Sequence, residues 1–206
     1  SDTWEWDGMT WTQRSPANHP RARYAHSLAY DRARHRVVVF GGWDEITAYF
    51  GDTWEWDGSE WKMTTTAGSP PARTRQALAY DRARQRLVLF GGVGATPPDA
   101  GNGIRSDTWE LDGSTWSEQR PATSPLSRYH HAMVYDVGRQ RMVILGGEGE
   151  TGPLSDTWTW DGTNWDRWAT SLKCYGHALA YDEARKRILL FGGLDGSSYA
   201  GTWELF

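Results

Sequence analysis

The sequence predicts an all-β fold made of repeated, four-stranded antiparallel units. A short motif, Asp-Thr-Trp or its variant Gly-Thr-Trp, occurs five times with its tryptophans at positions 4, 54, 109, 158 and 203, so that successive copies are 50, 55, 49 and 45 residues apart. A self-similar period of this length indicates a repeat array. The second observation is a glycine pair after each hydrophobic run, at Gly41-Gly42, Gly91-Gly92, Gly146-Gly147 and Gly192-Gly193.

Each unit begins with a pair of strands joined by a short turn. In the unit that starts at Arg23, residues Ser27 to Tyr30 alternate in polarity and are followed by a turn that begins at Asp31. Residues Arg36 to Phe40 then form an almost continuous apolar run, which is typical of a strand buried on both faces. The glycine pair after Phe40 ends this second strand.

A second pair of strands completes the unit after a loop of variable length. From Thr53 to Asp57 the residues alternate, so Trp54 and Trp56 share one face of the predicted strand. The Asp57-Gly58 dipeptide is a hairpin-turn signal and is followed by a strand that contains Trp61. We expect Trp54 to be buried between neighbouring units.

The same four-strand pattern recurs from Arg73 to Trp116 and from Arg128 to Trp165, and its first three strands recur from Tyr175 to Leu205. No break in composition separates the units, so we expect a single domain over residues 1–206. Its repeat boundaries fall at about 1–20 (partial), 21–70, 71–125, 126–172 and 173–206.

In combination, the glycine pairs, the aromatic third strands and the tryptophan after each Asp-Gly turn resemble kelch repeats over essentially the whole chain. This resemblance implies a β-propeller of about four blades, each a four-stranded antiparallel meander. The third-strand motif occurs five times, whereas the other strands occur four times. A four-bladed ring closed by the N-terminal strands therefore leaves one third strand without a place. Either the chain is part of a larger ring, or copies associate through incomplete blades as a homo-oligomer.

Composition excludes several functional classes. Fourteen tryptophans compensate for a hydrophobic content of only 38%. The single cysteine, Cys174, excludes an intramolecular disulfide, and apolar runs such as Val37 to Phe40 are too short for membrane insertion. The net charge is −4, and basic first hairpins alternate with acidic second hairpins, so we expect no nucleic-acid binding.

Residues repeated in every unit are best explained by the construction of the unit. The glycine pairs allow a positive φ or a close approach of backbone. A recurring Asp and Arg are expected to fix the first turn through side-chain hydrogen bonds; the pairs are Asp31/Arg34, Asp81/Arg84, Asp136/Arg139 and Asp182/Arg185.

Binding residues are expected on the face that carries the variable loops, because function usually resides in loops held by a rigid frame. Aromatic side chains near arginines are typical of contact surfaces. The candidates are Trp43, Asp44, Tyr49, Phe50, Arg23, Tyr24, Arg73, Arg75, Arg128, Tyr129, His130, Tyr175, Glu148 and Tyr199.

The leading functional hypothesis is a non-catalytic module that binds a protein or peptide. Carbohydrate binding by aromatic stacking and a kelch-type enzyme remain as alternatives. The sequence shows no recognisable catalytic constellation, so we expect no catalytic residues and no cofactor. His26, His131 and His177 recur at one repeat position, where Gln76 stands in the remaining unit, and a structural role is favoured over a metal site.

Overall fold

A computed structural model of the protein describes residues 1–44, 46, 48–95, 103–195 and 201–205. Within these ranges the regular structure is entirely β, and there is no helix long and apolar enough to cross a membrane. The chain opens with a two-stranded hairpin, which we call the N-terminal hairpin. It consists of β1 (Thr3–Trp6) and β2 (Trp11–Arg14).

Three four-stranded antiparallel blades follow, each with its strands paired in chain order. The first blade contains β3 (Ser27–Asp31), β4 (Arg36–Phe40), β5 (Thr53–Trp56) and β6 (Trp61–Thr64). The second contains β7 (Ala77–Asp81), β8 (Arg86–Phe90), β9 (Thr108–Leu111) and β10 (Trp116–Gln119). The third contains β11 (Ala132–Asp136), β12 (Arg141–Leu145), β15 (Asp156–Trp160) and β16 (Trp165–Ser171), with the short hairpin of β13 (Glu148–Gly149) and β14 (Gly152–Pro153) inserted in its variable loop.

The fourth blade has three strands in the described part of the chain. They are β17 (Ala178–Asp182), β18 (Arg187–Phe191) and β19 (Thr202–Leu205), paired in that order. The first strands of the four blades line a common central channel with a cavity of about 280 Å³. The fold is therefore a four-bladed β-propeller, as the resemblance to kelch repeats implied. Because β19 rather than β1 pairs with β18, the N-terminal hairpin occupies a separate position beside the first blade.

Neighbouring blades pack face to face through apolar side chains. Between the first and second blades, Phe40 contacts Trp116, and between the second and third, Phe90 contacts Trp165. The same interfaces carry an indole hydrogen bond, from Trp116 Nε1 to Thr53 Oγ1 (3.0 Å) and from Trp165 Nε1 to Thr108 Oγ1 (2.9 Å). The repeated tryptophan after the Asp-Gly turn is thus an inter-blade anchor.

The tryptophan of the third strand itself is less buried than predicted. Trp54 is only half-buried, whereas Trp56 and Trp61, on the same face of the first blade, are buried. The alternation placed Trp54 on the correct face, but its indole lies near the loop end of the blade. There, Trp54 Nε1 donates a hydrogen bond to Asp52 (2.6 Å).

In the first three blades the glycine pair ends the second strand at a point where the backbone of the next blade lies within hydrogen-bond distance. Gly41 and Gly42 have φ values of 70° and 105°, as the sequence predicted. The amide of Gly42 donates a hydrogen bond to the carbonyl of Arg73 in the second blade (2.8 Å). A Cβ on Gly41 would lie 2.5 Å from the same carbonyl oxygen, so only glycine fits.

The array of blades has two exposed end faces. Leu28 of the first blade is 56% exposed, although Leu78 at the same repeat position is 7% exposed. Phe191 of the fourth blade is 62% exposed, whereas Phe90 is fully buried. Among the described residues, no Cα atoms of β3 and β17 lie within 8 Å of each other. Side chains bridge the two blades at the short-turn face, where Arg32 lies 3.6 Å from Glu183.

Candidate functional site

A buried ion pair, which we call the arginine clamp, links the start of the first strand to the start of the third strand in the first three blades. Arg73 forms two hydrogen bonds with the carboxylate of Asp107 (2.6 Å each) and one with the carbonyl of Gly91 (3.0 Å). Arg23 and Arg128 repeat this geometry with Asp52 and Asp156. Burial raises the pKa of these aspartates, but the paired arginine and a tryptophan hydrogen bond outweigh it, so each pKa is lowered.

The arginine clamp removes three candidates from the accessible surface. The side chains of Arg73 and Arg128 are completely buried and that of Arg23 is 4% exposed. The expectation that they lie on a contact surface is therefore not met. Each of these arginines follows the preceding Asp-Thr-Trp motif at the same interval. This regular spacing was the missed signal, because it is the same kind of repetition that marks the turn residues as structural.

In the fourth blade both members of the arginine clamp are replaced together. Cys174 stands where the other blades have the arginine, since its carbonyl accepts the hydrogen bond from the preceding glycine pair, Gly147 N to Cys174 O (2.8 Å). Gly201 stands where they have the aspartate. Cys174 is buried, and burial raises its pKa to about 11.

The aromatic candidates of the first blade form a ladder that packs on itself. Trp43 bridges to Tyr24 on one side and to Tyr49 on the other, with ring centroids 5.4 Å and 5.8 Å away. Asp44 accepts hydrogen bonds from the amides of Ile46 and Ala48 and thereby shapes the loop. Since a tyrosine flanks each side of Trp43, its indole offers less free surface for stacking a sugar ring than the sequence suggested.

Two further aromatic candidates, Phe50 and Tyr199, have different outcomes. Phe50 lies under the guanidinium of Arg23, with 4.2 Å between the Cζ atom and the ring centroid. It therefore supports the first arginine clamp. Tyr199 lies outside the described residues.

Five candidates from three blades meet on the loop-rich face beside the channel, and we call them the central cluster: Arg75, Tyr129, His130, Glu148 and Tyr175. His130 Nδ1 lies 3.1 Å from a carboxylate oxygen of Glu148, and its ring stacks on Tyr175 with centroids 6.4 Å apart. The guanidinium of Arg75 lies over Tyr129 at 5.9 Å. Burial, together with the nearby carboxylate of Glu148, raises the pKa of Tyr129.

The backbone beneath the central cluster is a belt of residues with positive φ. Ala25, Arg75, His130 and Gly176 occupy one repeat position, with φ of 51°, 59°, 55° and 66°. They are joined from blade to blade by amide-to-carbonyl hydrogen bonds, from Arg75 to Ala25 (2.9 Å), from His130 to Arg75 (3.2 Å) and from Gly176 to His130 (2.8 Å). The belt holds these side chains at fixed positions around the channel mouth.

The opposite, short-turn face is built mainly from structural interactions. The predicted turn pairs are confirmed; Arg34 Nε, for example, donates to Asp31 at 2.7 Å, and Arg84 Nε to Asp81 at 2.8 Å. Arg34 and Arg84 also pair with Glu55 and Glu110 of the same blade. The basic and acidic hairpins of each blade therefore compensate each other, as the charge pattern indicated.

The recurring histidines lie between blades and not around a shared point. His131 and His177 are buried, and burial lowers the pKa of His177 to about 4 and that of His131 well below its usual value. At the same repeat position, Gln76 Nε2 donates to the carbonyl of Phe40 in the preceding blade (2.8 Å). Within the part of the chain that the structure covers, no group of three or more His, Cys, Asp or Glu side chains could hold a metal ion.

Comparison with known proteins agrees with this architecture. The profile of the KLHDC2/KLHL20/DRC7 Kelch-repeats domain matches residues 2–171, from the N-terminal hairpin through the third blade. No curated protein matches the chain. Kelch propellers commonly mediate protein binding and are typically non-catalytic interaction domains. The repeated glycine pairs, the inter-blade tryptophans, the four blades and the profile match together establish that the chain belongs to the kelch-repeat β-propeller family.

Proposed function

We propose that the protein is a non-catalytic module that binds a protein or peptide through the central cluster on its loop-rich face. The observation that carries this proposal is that residues other than glycine occur in the positive-φ belt. A residue other than glycine is less stable in this conformation by about 1–2 kcal/mol. Gly176 avoids this cost in the fourth blade, but Arg75 and His130 retain long side chains at the same position.

The environment of these side chains favours a polypeptide ligand with acidic and apolar groups. Arg75 forms no ion pair with any described residue, so its positive charge is available at the channel mouth. Tyr129 and Tyr175 provide apolar surface with polar hydroxyl groups, a combination that is frequent in protein interfaces. Strained backbone at a ligand site is a recurring feature of proteins, because the frame can hold it in place.

The experiment compares proteins captured by three immobilised baits: the parent, Arg75→Ala with Tyr129→Ala, and Arg32→Ala with Arg82→Ala. The first pair alters the loop-rich face, and the second alters charged residues on the short-turn face. We expect partners of the parent bait to be lost from the first variant, with affinity at least about 2 kcal/mol weaker for hot-spot residues, and retained by the second. The reverse pattern would move the binding site to the short-turn face. A glycan array with the parent protein tests the carbohydrate alternative directly.

A further inference from the structure

The second blade carries an arginine, Arg105, at a repeat position where the neighbouring blades have apolar residues. This position lies two residues before the aspartate of the arginine clamp, and its amide donates to the carbonyl of the second glycine of the pair. Phe50 occupies it in the first blade, under the guanidinium of Arg23, and Leu154 occupies it in the third. An apolar side chain therefore satisfies the construction of a blade here, and the charge of Arg105 adds nothing to it.

The guanidinium of Arg105 is half-buried and has few partners of its own. Nη2 donates a hydrogen bond to the carbonyl of Ala95 (3.4 Å), whereas the buried Nε has no hydrogen-bond partner. Arg105 forms no ion pair with any residue that the structure describes. Because a buried donor without an acceptor destabilises a folded protein, an acceptor is what this site lacks.

A second guanidinium close by increases the electrostatic imbalance. Burial and the positive charge of Arg73 lower the pKa of Arg105, and the carboxylate of Asp107 opposes them only in part. That carboxylate already accepts two hydrogen bonds from Arg73 and one from Trp109 Nε1 (2.8 Å). In the second blade, two guanidinium groups thus share one carboxylate, and an excess positive charge remains.

The edge of the guanidinium that carries Nε and Nη2 lies beside a glycine. A Cβ on Gly94 would lie 3.1 Å from Nη2 and 3.3 Å from Nε, and only 2.3 Å from the carbonyl oxygen of Ala72. Only glycine fits at this point, so the residue next to this edge contributes no side chain to it. An arginine edge of this kind presents two N–H groups as a fork, which matches the two oxygens of a carboxylate or a phosphate.

We propose that Arg105 anchors an oxyanion site on the loop-rich face of the second blade, and that its ligand carries a carboxylate or a phosphate group. Both groups accept two parallel hydrogen bonds from a guanidinium and supply the negative charge that offsets the excess beside Asp107. The site is separate from the central cluster, because Arg105 precedes β9, the third strand from the channel, whereas Arg75 precedes β7, the first strand. It does not depend on the function proposed above.

The repeat itself supplies a substitution that separates ligand binding from folding. Arg105→Leu introduces the residue that the third blade has at this position, so it removes the unpaired charge and the unsatisfied Nε while keeping the blade intact. In Tris chloride, without oxyanions, we expect its Tm to equal or exceed that of the parent. A Tm well below that of the parent would show that Arg105 stabilises the blade itself, and the proposal would fail.

Binding is tested by titrating the full chain with sodium phosphate and, separately, with sodium acetate at constant ionic strength. We expect the NMR signal of the Arg105 Nε–H group to shift saturably with at least one of the two anions, and the tighter anion identifies the chemical class. The same anion should raise the Tm of the parent but not that of Arg105→Leu. Arg120→Leu, which alters an exposed arginine of the same blade, is the matched control and should retain the rise in Tm.

Two further results would contradict the proposal. If the Arg105 signal moves with neither anion, or if parent and Arg105→Leu gain equally in Tm, the anions act on the surface in general and not at this site. The other result concerns Asp99, which belongs to the same loop and lies outside the described residues. If anions bind only after Asp99→Asn, the carboxylate of Asp99 is the occupant and no external ligand is involved.

Discussion

At the scale of single residues, Arg73 and Arg75 show how strongly local surroundings decide the role of a side chain. They lie two positions apart on the same segment. Arg73 is completely buried and is paired with Asp107, whereas Arg75 is half-buried beside Tyr129 and has no ion pair in the described chain. The first arginine supports the blade, and the second remains available to a ligand.

This contrast predicts different effects on stability. Arg73→Ala leaves the carboxylate of Asp107 in a largely buried site without its partner, so we expect the free energy of unfolding to fall by about 3–5 kcal/mol. Arg75→Ala should change it by less than about 1 kcal/mol. Urea denaturation of both variants measures the difference. Similar midpoints for the two variants would contradict the assignment of Arg73 to the fold.

The buried histidines predict a loss of stability in mild acid. The pKa of His177 is about 4 in the folded protein and about 6.5 in the unfolded chain, so folding favours the neutral ring. The stabilisation is present above about pH 6.5 and is lost as the pH falls below it, by about 2 kcal/mol at pH 5.

We expect His177→Gln, which introduces the residue that the second blade carries at this position as Gln76, to reduce this decline in thermal melts between pH 7 and 5. The low pKa values of the clamp aspartates affect stability only below their ordinary value of 3.8, so they do not mask this window. An unchanged pH profile would show that His177 does not titrate as its burial requires.

At the scale of elements, the fourth strand of a blade contributes through its tryptophan. Trp165 is fully buried against Phe90 and donates to Thr108 of the preceding blade. Trp11 occupies the same repeat position on β2 but is 63% exposed.

Trp165→Ala should therefore destabilise the protein by about 3–5 kcal/mol, whereas Trp11→Ala should cost less than about 1 kcal/mol. Differential scanning calorimetry of the two variants provides the comparison. Equal shifts in Tm would indicate that the end face at β2 is covered in solution.

The strands themselves were predictable because their signals are local. Glycine pairs, Asp-Gly turns and alternating apolar residues define Arg36–Phe40 and its equivalents with little dependence on distant contacts. The degree of burial of Trp54 was not predictable, because it depends on how far along the blade the next blade extends. The alternation of apolar and polar residues predicts which face of the strand a side chain lies on, but not how deeply it is buried.

At the scale of the whole molecule, the sequence predicted which candidate residues share the loop-rich face but not how they group there. Tyr129, His130 and Tyr175 were candidates because they precede first strands, but nothing in the sequence indicated that they lie next to one another. The buried state of Arg23, Arg73 and Arg128 was missed, because the aspartate partner lies 28 to 34 residues away, across the variable loop. Only the three-dimensional arrangement of the loop ends brings these charges together.

The absence of an arginine clamp from the fourth blade has a consequence for the order in which the molecule unfolds. In a repeat array each blade is stabilised mainly by its neighbours and by its own internal bonds. The fourth blade is at an end of the array and has Cys174 and Gly201 where the others have a buried ion pair. It should therefore open at lower free energy than the second blade, as a separate cooperative unit.

Native-state hydrogen exchange in low denaturant should show early exchange across β17 and β18 while β7 and β8 remain protected. In the same opening the thiol of Cys174 becomes reactive, so alkylation of this single cysteine reports the detachment of one blade from an otherwise folded propeller. Restoring the pair by Cys174→Arg with Gly201→Asp should slow the amide hydrogen exchange of β17 and β18. Either substitution alone should not slow it. Simultaneous exchange of all four blades would show that the propeller unfolds as one unit.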